Sequence, residues 1–370
     1  MKKTQWLVIA LIGILLIAGV FFYKYTSSAE ENHKELRVLA WIGYDEDEIV
    51  KPFEQEFGIK LKVETFIGGD KMFAKLTQNP GAYDIVVIDP EYISKLQNAG
   101  LLQELDPKDF NFTDYIGPLK NFPLTTINGK FYAVLIRFGV NALVYNTEKL
   151  TKEDVSSYKI LWDPKVKGHV GIWDWYLPNM GVLSLADSLN STNPYQLTGN
   201  QLAKLKSSLV SLKPQVKSVF GSFSDINAAF TRGDIWVAPA LGEHTASILA
   251  ETGKPIDWVV PKEGGVMWIE TLGITKDAKN IPGALTYISY MQRPDVQAKL
   301  TWRNAYRSNI PNIKGIESLS KEKQDYLKVH NAQEATKLVN SISVRMLPTD
   351  SASKSTEKEW QDMWQNFKAQ

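Results

Sequence analysis

The folded part of the chain begins with Leu36-Arg37-Val38-Leu39-Ala40-Trp41, a mostly apolar run suited to a buried strand. Ile49, Phe53 and Phe57 then recur at one-turn spacing and stop at Gly58, predicting an amphipathic helix with a glycine at its end. Ile59-Lys60-Leu61-Lys62-Val63-Glu64 alternates strictly, as a half-buried strand does. Asp70 to Leu76 reads as another helix, with Asp70 as its N-cap. Tyr83-Asp84-Ile85-Val86-Val87-Ile88 is rich in β-branched residues and predicts a central parallel strand.

Beyond Thr147 the pattern resets. The turn-rich passage Trp162-Asp163-Pro164-Lys165-Val166-Lys167-Gly168 precedes a strand over His169–Trp173, and a second alternation runs to about residue 266. Trp268–Thr275 is again strand-like, and Ile281–Gln292 is an amphipathic helix. A last helix over Lys354–Lys368 carries Trp360, Met363, Trp364 and Phe367 on one face. Strands alternating with helices at this pace predict βαβ units around a mainly parallel sheet, an α/β protein.

One stretch does not fit a water-soluble fold. Lys2 and Lys3 precede an uncharged apolar run from Trp6 to Tyr23, which Lys24 follows. A positive leader and an apolar core form an export signal, and Ser27, Ser28 and Ala29 suit cleavage after Ala29. At about 18 residues the run is also near the minimum for a membrane-spanning helix, so an uncleaved inner-membrane anchor stands beside the cleaved signal. In both cases the positive-inside rule leaves everything after residue 30 outside the cytoplasm. Cysteine is absent, which excludes disulfides, thiol catalysis, Cys-held metals and a lipid-modified cysteine at the junction.

Formal net charge is +1, and charges of both signs are interspersed, so nothing marks a nucleic-acid partner. The Gly-x-Ser-x-Gly elbow and the phosphate-loop signature are both missing. The four histidines lie far apart without metal-ligand spacing, and no cofactor or metal is expected. Eleven Trp and fifteen Tyr are enough for some rings to line a cleft as well as a core. Carboxylates among aromatics also describe glycosidases, the principal enzymatic alternative.

Five motifs then occur in order: Trp41-Ile42-Gly43-Tyr44; Gly81-Ala82-Tyr83-Asp84-Ile85-Val86-Val87; Gly139-Val140-Asn141-Ala142-Leu143-Val144-Tyr145-Asn146; Pro261-Lys262-Glu263-Gly264-Gly265-Val266-Met267-Trp268; and Arg293-Pro294-Asp295-Val296 with Tyr306 downstream. In these the chain resembles the periplasmic spermidine/putrescine-binding proteins of ABC importers, over nearly all of residues 36–370. The resemblance implies a two-lobed periplasmic-binding-protein fold, in which two α/β lobes with mixed sheets and hinge crossings hold a ligand cleft between them. Residues 31–145 with 270–318 would form the first lobe, and 146–269 with 319–370 the second. Residues 1–30 remain the signal or anchor.

A polyamine is a row of ammonium groups joined by methylenes. Its site needs aromatic faces for the methylenes and the cations, and carboxylates to accept N–H bonds. The resemblance places Trp41, Tyr44, Trp268, Glu270 and Tyr306 in that site. Trp268 and Glu270 would share one face of a strand, and Glu270 stands where the family carries Asp. Elsewhere the pattern departs. Asp89 and Glu91 replace a Ser-x-Tyr, Trp173-Asp174-Trp175 offers one carboxylate where two are usual, and Glu243 stands near a missing Trp. Arg137 is open between an ordinary ion pair and a holder of a ligand carboxylate. The partners so implied are a small cationic solute, most simply spermidine or putrescine, and the permease subunits of an ABC importer. A receptor for an amino acid, quaternary amine or sugar, or a membrane-tethered sensor, is the alternative.

Overall fold

The computed structural model describes residues 34–304, 306–348 and 354–369; the apolar stretch read as a signal or anchor lies outside them. Among the described residues no helix is long and apolar enough to cross a membrane.

Strand β1 (Glu35–Trp41) lies between parallel partners β2 (Lys60–Phe66) and β3 (Ile85–Ile88). Helix Asp47–Phe57 joins the first pair, burying Ile49 and Phe53 and ending at Gly58 with φ 65°, as the spacing predicts. Helix Gly69–Gln78 joins the second. Asp70 is not its N-cap: Gly68 holds that position with φ 93°, and Asp70 instead accepts the Tyr92 hydroxyl at 3.1 Å. Gly69 is the first helical residue, and the Tyr92 ring fills the space where a β-carbon there would sit.

After the small hairpin β4 (Thr126–Ile127) and β5 (Lys130–Phe131) comes β6 (Val134–Asn146), whose 13 residues are all buried. The later strands are β7 (Val170–Trp173), β8 (Val216–Phe220), β9 (Val237–Leu241), β10 (Ile256–Val259), β11 (Gly265–Ile274) and β12 (Ile342–Val344). They form one curled sheet of order β2-β1-β3-β11-β6-β9-β7-β8, with β10 added to β6 and β12 to β11. The outer stretches are parallel, whereas β11 and β6 run antiparallel to each other and to their outer neighbours β3 and β9. Covered on both faces, β6 and β11 read as near-continuous apolar runs without alternation.

The architecture is the two α/β lobes expected, with β6 and β11 passing between them. One core packs β1 and β3 against Ala284, Tyr287 and Ile288 of the helix Ile281–Met291. A second packs β7 and the helix Tyr176–Ala186 against Trp360, Trp364 and Phe367 of the C-terminal helix Glu357–Ala369. A third lies between, joining Phe138 and Val140 of β6 to Met267 and Ile269 of β11. Trp175 packs against all three.

Candidate functional site

Between the lobes, the carboxyl ends of parallel strands β1, β3 and β7 point at the middle of β11, the usual place for a ligand in such sheets. Trp41 closes β1, Asp89 follows β3, and Trp173 closes β7. On β11, Trp268 faces Gly139 of β6 across the ladder, and Glu270 faces Arg137. The pairing places all four on one face, and the register slips just after Glu270. Gly139 has no side chain, so the indole of Trp268 lies over the strand; a β-carbon there would come within 2.3 Å of it.

The pocket so formed is lined by Trp41, Asp89, Asn141, Trp173, Trp175, Trp268, Glu270, Tyr306 and Arg345. Its free volume is about 20 Å³, room for one water and no organic solute until walls part. Ring centroids lie 6.1 Å apart for Trp41–Trp175, 5.3 Å for Trp173–Trp175 and 5.3 Å for Trp268–Tyr306. A groove of about 920 Å³ among Leu105, Phe112, Leu119, Phe122 and Phe131 shares no residue with this pocket. It gathers no comparable set of buried charges.

Two arginines organise the acids. Arg137 donates to Glu270 through Nε at 2.5 Å and Nη2 at 3.1 Å, and Tyr44 adds its hydroxyl to the same carboxylate at 2.8 Å. The guanidinium lies 4.9 Å from the Tyr44 ring and 5.2 Å from that of Tyr306. Burial works against its charge, but Glu270 and Tyr44 more than offset that, so Arg137 stays protonated. Arg345, just after β12, reaches Asp89 through Nη2 at 3.1 Å and Glu91 through Nε at 2.5 Å, with the Trp175 ring 4.5 Å away. Burial pushes the Asp89 carboxyl well above the usual range; Arg345 pulls it down, and Glu91 and Glu270 push it further up.

Of the residues expected from sequence, Trp41, Asp89, Trp173, Trp175, Trp268, Glu270 and Tyr306 converge on the pocket wall. Four stand elsewhere. Tyr44 is behind Glu270 as its hydrogen-bond donor, and Glu91 is behind Asp89 as a partner of Arg345. Glu243 lies beneath Gly139, accepting the Val140 N–H on both oxygens. Asp174 turns away from the cleft, because Trp364 Nε1 at 2.9 Å and Lys368 Nζ at 2.8 Å hold it to the C-terminal helix. Of the two roles open to Arg137 the structure shows the internal ion pair, with Glu270 as its partner. The reading missed Asn141 and Arg345. Asn141 sits inside a quoted motif, two residues from Gly139 on the strand face, and that alternation was the available signal.

The sequence profile of the bacterial extracellular solute-binding proteins matches residues 48–331. The chain belongs to this family. Among curated relatives, the spermidine/putrescine-binding periplasmic protein of Escherichia coli (strain K12) is 30% identical over 314 residues, covering 83% of this chain and 86% of its own. A putrescine/cadaverine-binding protein of Pseudomonas aeruginosa is 27% identical over 325 residues, covering 84% and 87%. Among solved structures, a spermidine/putrescine ABC transporter substrate-binding protein of Streptococcus pneumoniae superposes with a TM-score of 0.73 at 19% identity, covering 91% and 99%. This solute-binding protein therefore has the fold its motifs implied and works outside the cytoplasm.

Proposed function

We propose that the protein captures a small organic amine between its lobes and delivers it to the permease of an ABC importer, serving binding and not catalysis. Polyamines such as spermidine and putrescine are the first candidates. The observation that carries the reading is the pocket itself: four Trp, Tyr306 and the carboxylates of Asp89 and Glu270 around one buried point. Rings and carboxylates together are what an ammonium on a methylene chain requires. Relatives named for such ligands support it. The lobes, 31–145 with 270–318 and 146–269 with 319–370, open to admit the solute and close on it. Residues 1–30 direct the chain out of the cytoplasm, as a cleaved signal or as an anchor.

Thermal-shift measurements on the exported part against spermidine, putrescine, lysine, choline and glucose test this. A solute that binds the folded state alone stabilises it by about 2.7 kcal/mol at one hundred times its Kd. An amine should raise the midpoint, Trp268→Ala should weaken that rise, and Asp174→Asn should leave it intact. A shift with glucose and none with any amine would defeat the proposal.

A further inference from the structure

The charges around the pocket can be counted. Three carboxylates stand at its wall or directly behind it, Asp89, Glu91 and Glu270, against the guanidiniums of Arg137 and Arg345. Two further titratable groups pack close by without changing the sum. Glu243 is pushed up to about 8 by burial, against the pull of the Val140 N–H. His244, stacked on Tyr306, is pressed down to about 3 by burial and by Arg137. Both are mainly neutral near pH 7. Arg303 and Arg307 meet carboxylates away from the wall, Glu46 and Glu48 for the first and Glu251 for the second. With all three carboxylates ionised one negative charge is left over, an excess that burial otherwise offsets by raising Asp89 and Glu91 toward their protonated forms.

The unpartnered atoms agree with that sum. Asp89 Oδ2 and Asn141 Oδ1 are buried acceptors without a full hydrogen bond, and the indole N–H groups of Trp41 and Trp268 are buried donors without one, that of Trp41 close enough to Asp89 to favour its ionised form. One ammonium can satisfy the acceptors. The Trp268 indole N–H repels a second ammonium and suits a neutral oxygen. Burying an uncompensated charge is strongly disfavoured, so a buried dication would leave one positive charge unmatched.

We propose that the pocket is set for a solute bringing a single net positive charge into it, an amine with a neutral hydrogen-bonding far end, and that Arg345 is the residue that sets this number. The proposal rests on the amine reading above and, within it, ranks singly charged amines ahead of the polyamines. The rise of the Asp89 carboxyl under burial fits the same excess: a proton meets it until an ammonium takes the proton's place.

A four-carbon series that differs only in charge is the test, by titration calorimetry at pH 7: putrescine with two charges, 4-amino-1-butanol with one, and 4-aminobutanoate with none net. The wild type should bind the amino alcohol at least as tightly as putrescine and about tenfold more tightly than the zwitterion. Arg345→Met leaves two carboxylates unmatched and should move the preference about tenfold toward putrescine. Arg345→Lys keeps the charge and should keep the wild-type ranking. A wild type that prefers putrescine by more than about tenfold overturns the single-charge proposal and leaves the amine reading standing. Should Arg345→Met not fold, the wild-type ranking decides alone. Failure of every amine in the series removes the amine reading, and this proposal with it.

Discussion

Replacing Glu270 with glutamine should cost far more stability than the loss of one surface ion pair. The side chains of Arg137 and Glu270 are only 1% and 4% exposed, so water cannot take over from the missing carboxylate. Arg137 would keep its place among Tyr44, Trp268 and Tyr306 with a full charge and an amide oxygen for partner. Breaking a buried pair from one side costs about 3–5 kcal/mol, while replacing both members by apolar groups is often neutral. The double variant Arg137→Met/Glu270→Leu should therefore recover most of what Glu270→Gln loses. Guanidinium titration gives the free energies, and a thermal scan should show a drop of roughly 10 °C for the single variant, at about 2–4 °C per kcal/mol. Glu270→Gln within about 1 kcal/mol of wild type would refute the reasoning, since the ion pair would then not be dry. The cycle also guards the binding assay, because affinity lost in Glu270→Gln would otherwise be misread as a lost ligand contact.

Glu243 gives a pH signature. Its carboxyl, usually near 4.5, is raised to about 8 by burial, so the folded state holds a proton that the unfolded state releases between those values. Stability from this group is present below about 4.5 and lost as pH climbs toward 8, at about 1.4 kcal/mol per unit. Glu243→Gln, which can still accept from Val140, should match wild type near pH 4.5 and exceed it by a few kcal/mol near pH 8.5 in denaturant titrations; equal gains at both pH values would count against the assignment. Gly242→Ala should destabilise by about 1–3 kcal/mol or more, since a β-carbon there would sit 1.9 Å from the Val140 carbonyl oxygen; an unchanged unfolding midpoint would contradict the packing described.

The elements that sequence patterning read well are those whose burial is one-sided or whose ends carry a signal. Ile49, Phe53 and Phe57 with Gly58 gave their helix, and the aromatic face of Trp360, Met363, Trp364 and Phe367 gave the last one, later by three residues at its start. Strand β6 has no such contrast. Both its faces are covered, so Val134 to Asn146 lacks period two and was read only as part of a motif. The pocket's residue types were legible from the motifs, but the pairing was not. Arg137 stood in plain view, yet only the ladder register that sets Glu270 opposite it decides between ion pair and ligand holder. Arg345 was invisible for a different reason. It lies in a short edge strand's wake, placed by its backbone bond to Met267, about 80 residues away in the chain, and no local pattern announces such a contact.

The place of β11 in the sheet bears on how the molecule is made. Strand β3 has β1 on one side and β11 on the other, and its β11 partners lie about 190 residues downstream, Ile274 opposite Ile85. At roughly 5–20 residues per second, a ribosome needs on the order of 10–40 s to supply them. During that interval the first half of the chain has a sheet with an unprotected apolar edge, the kind that recruits foreign strands. The first lobe is thus not a unit that can be finished as it emerges. Its completion waits for the chain to have passed through the other lobe and come back, a topology that favours a polypeptide kept unfolded and chaperoned until nearly all of it has been synthesised and moved to the compartment where it works.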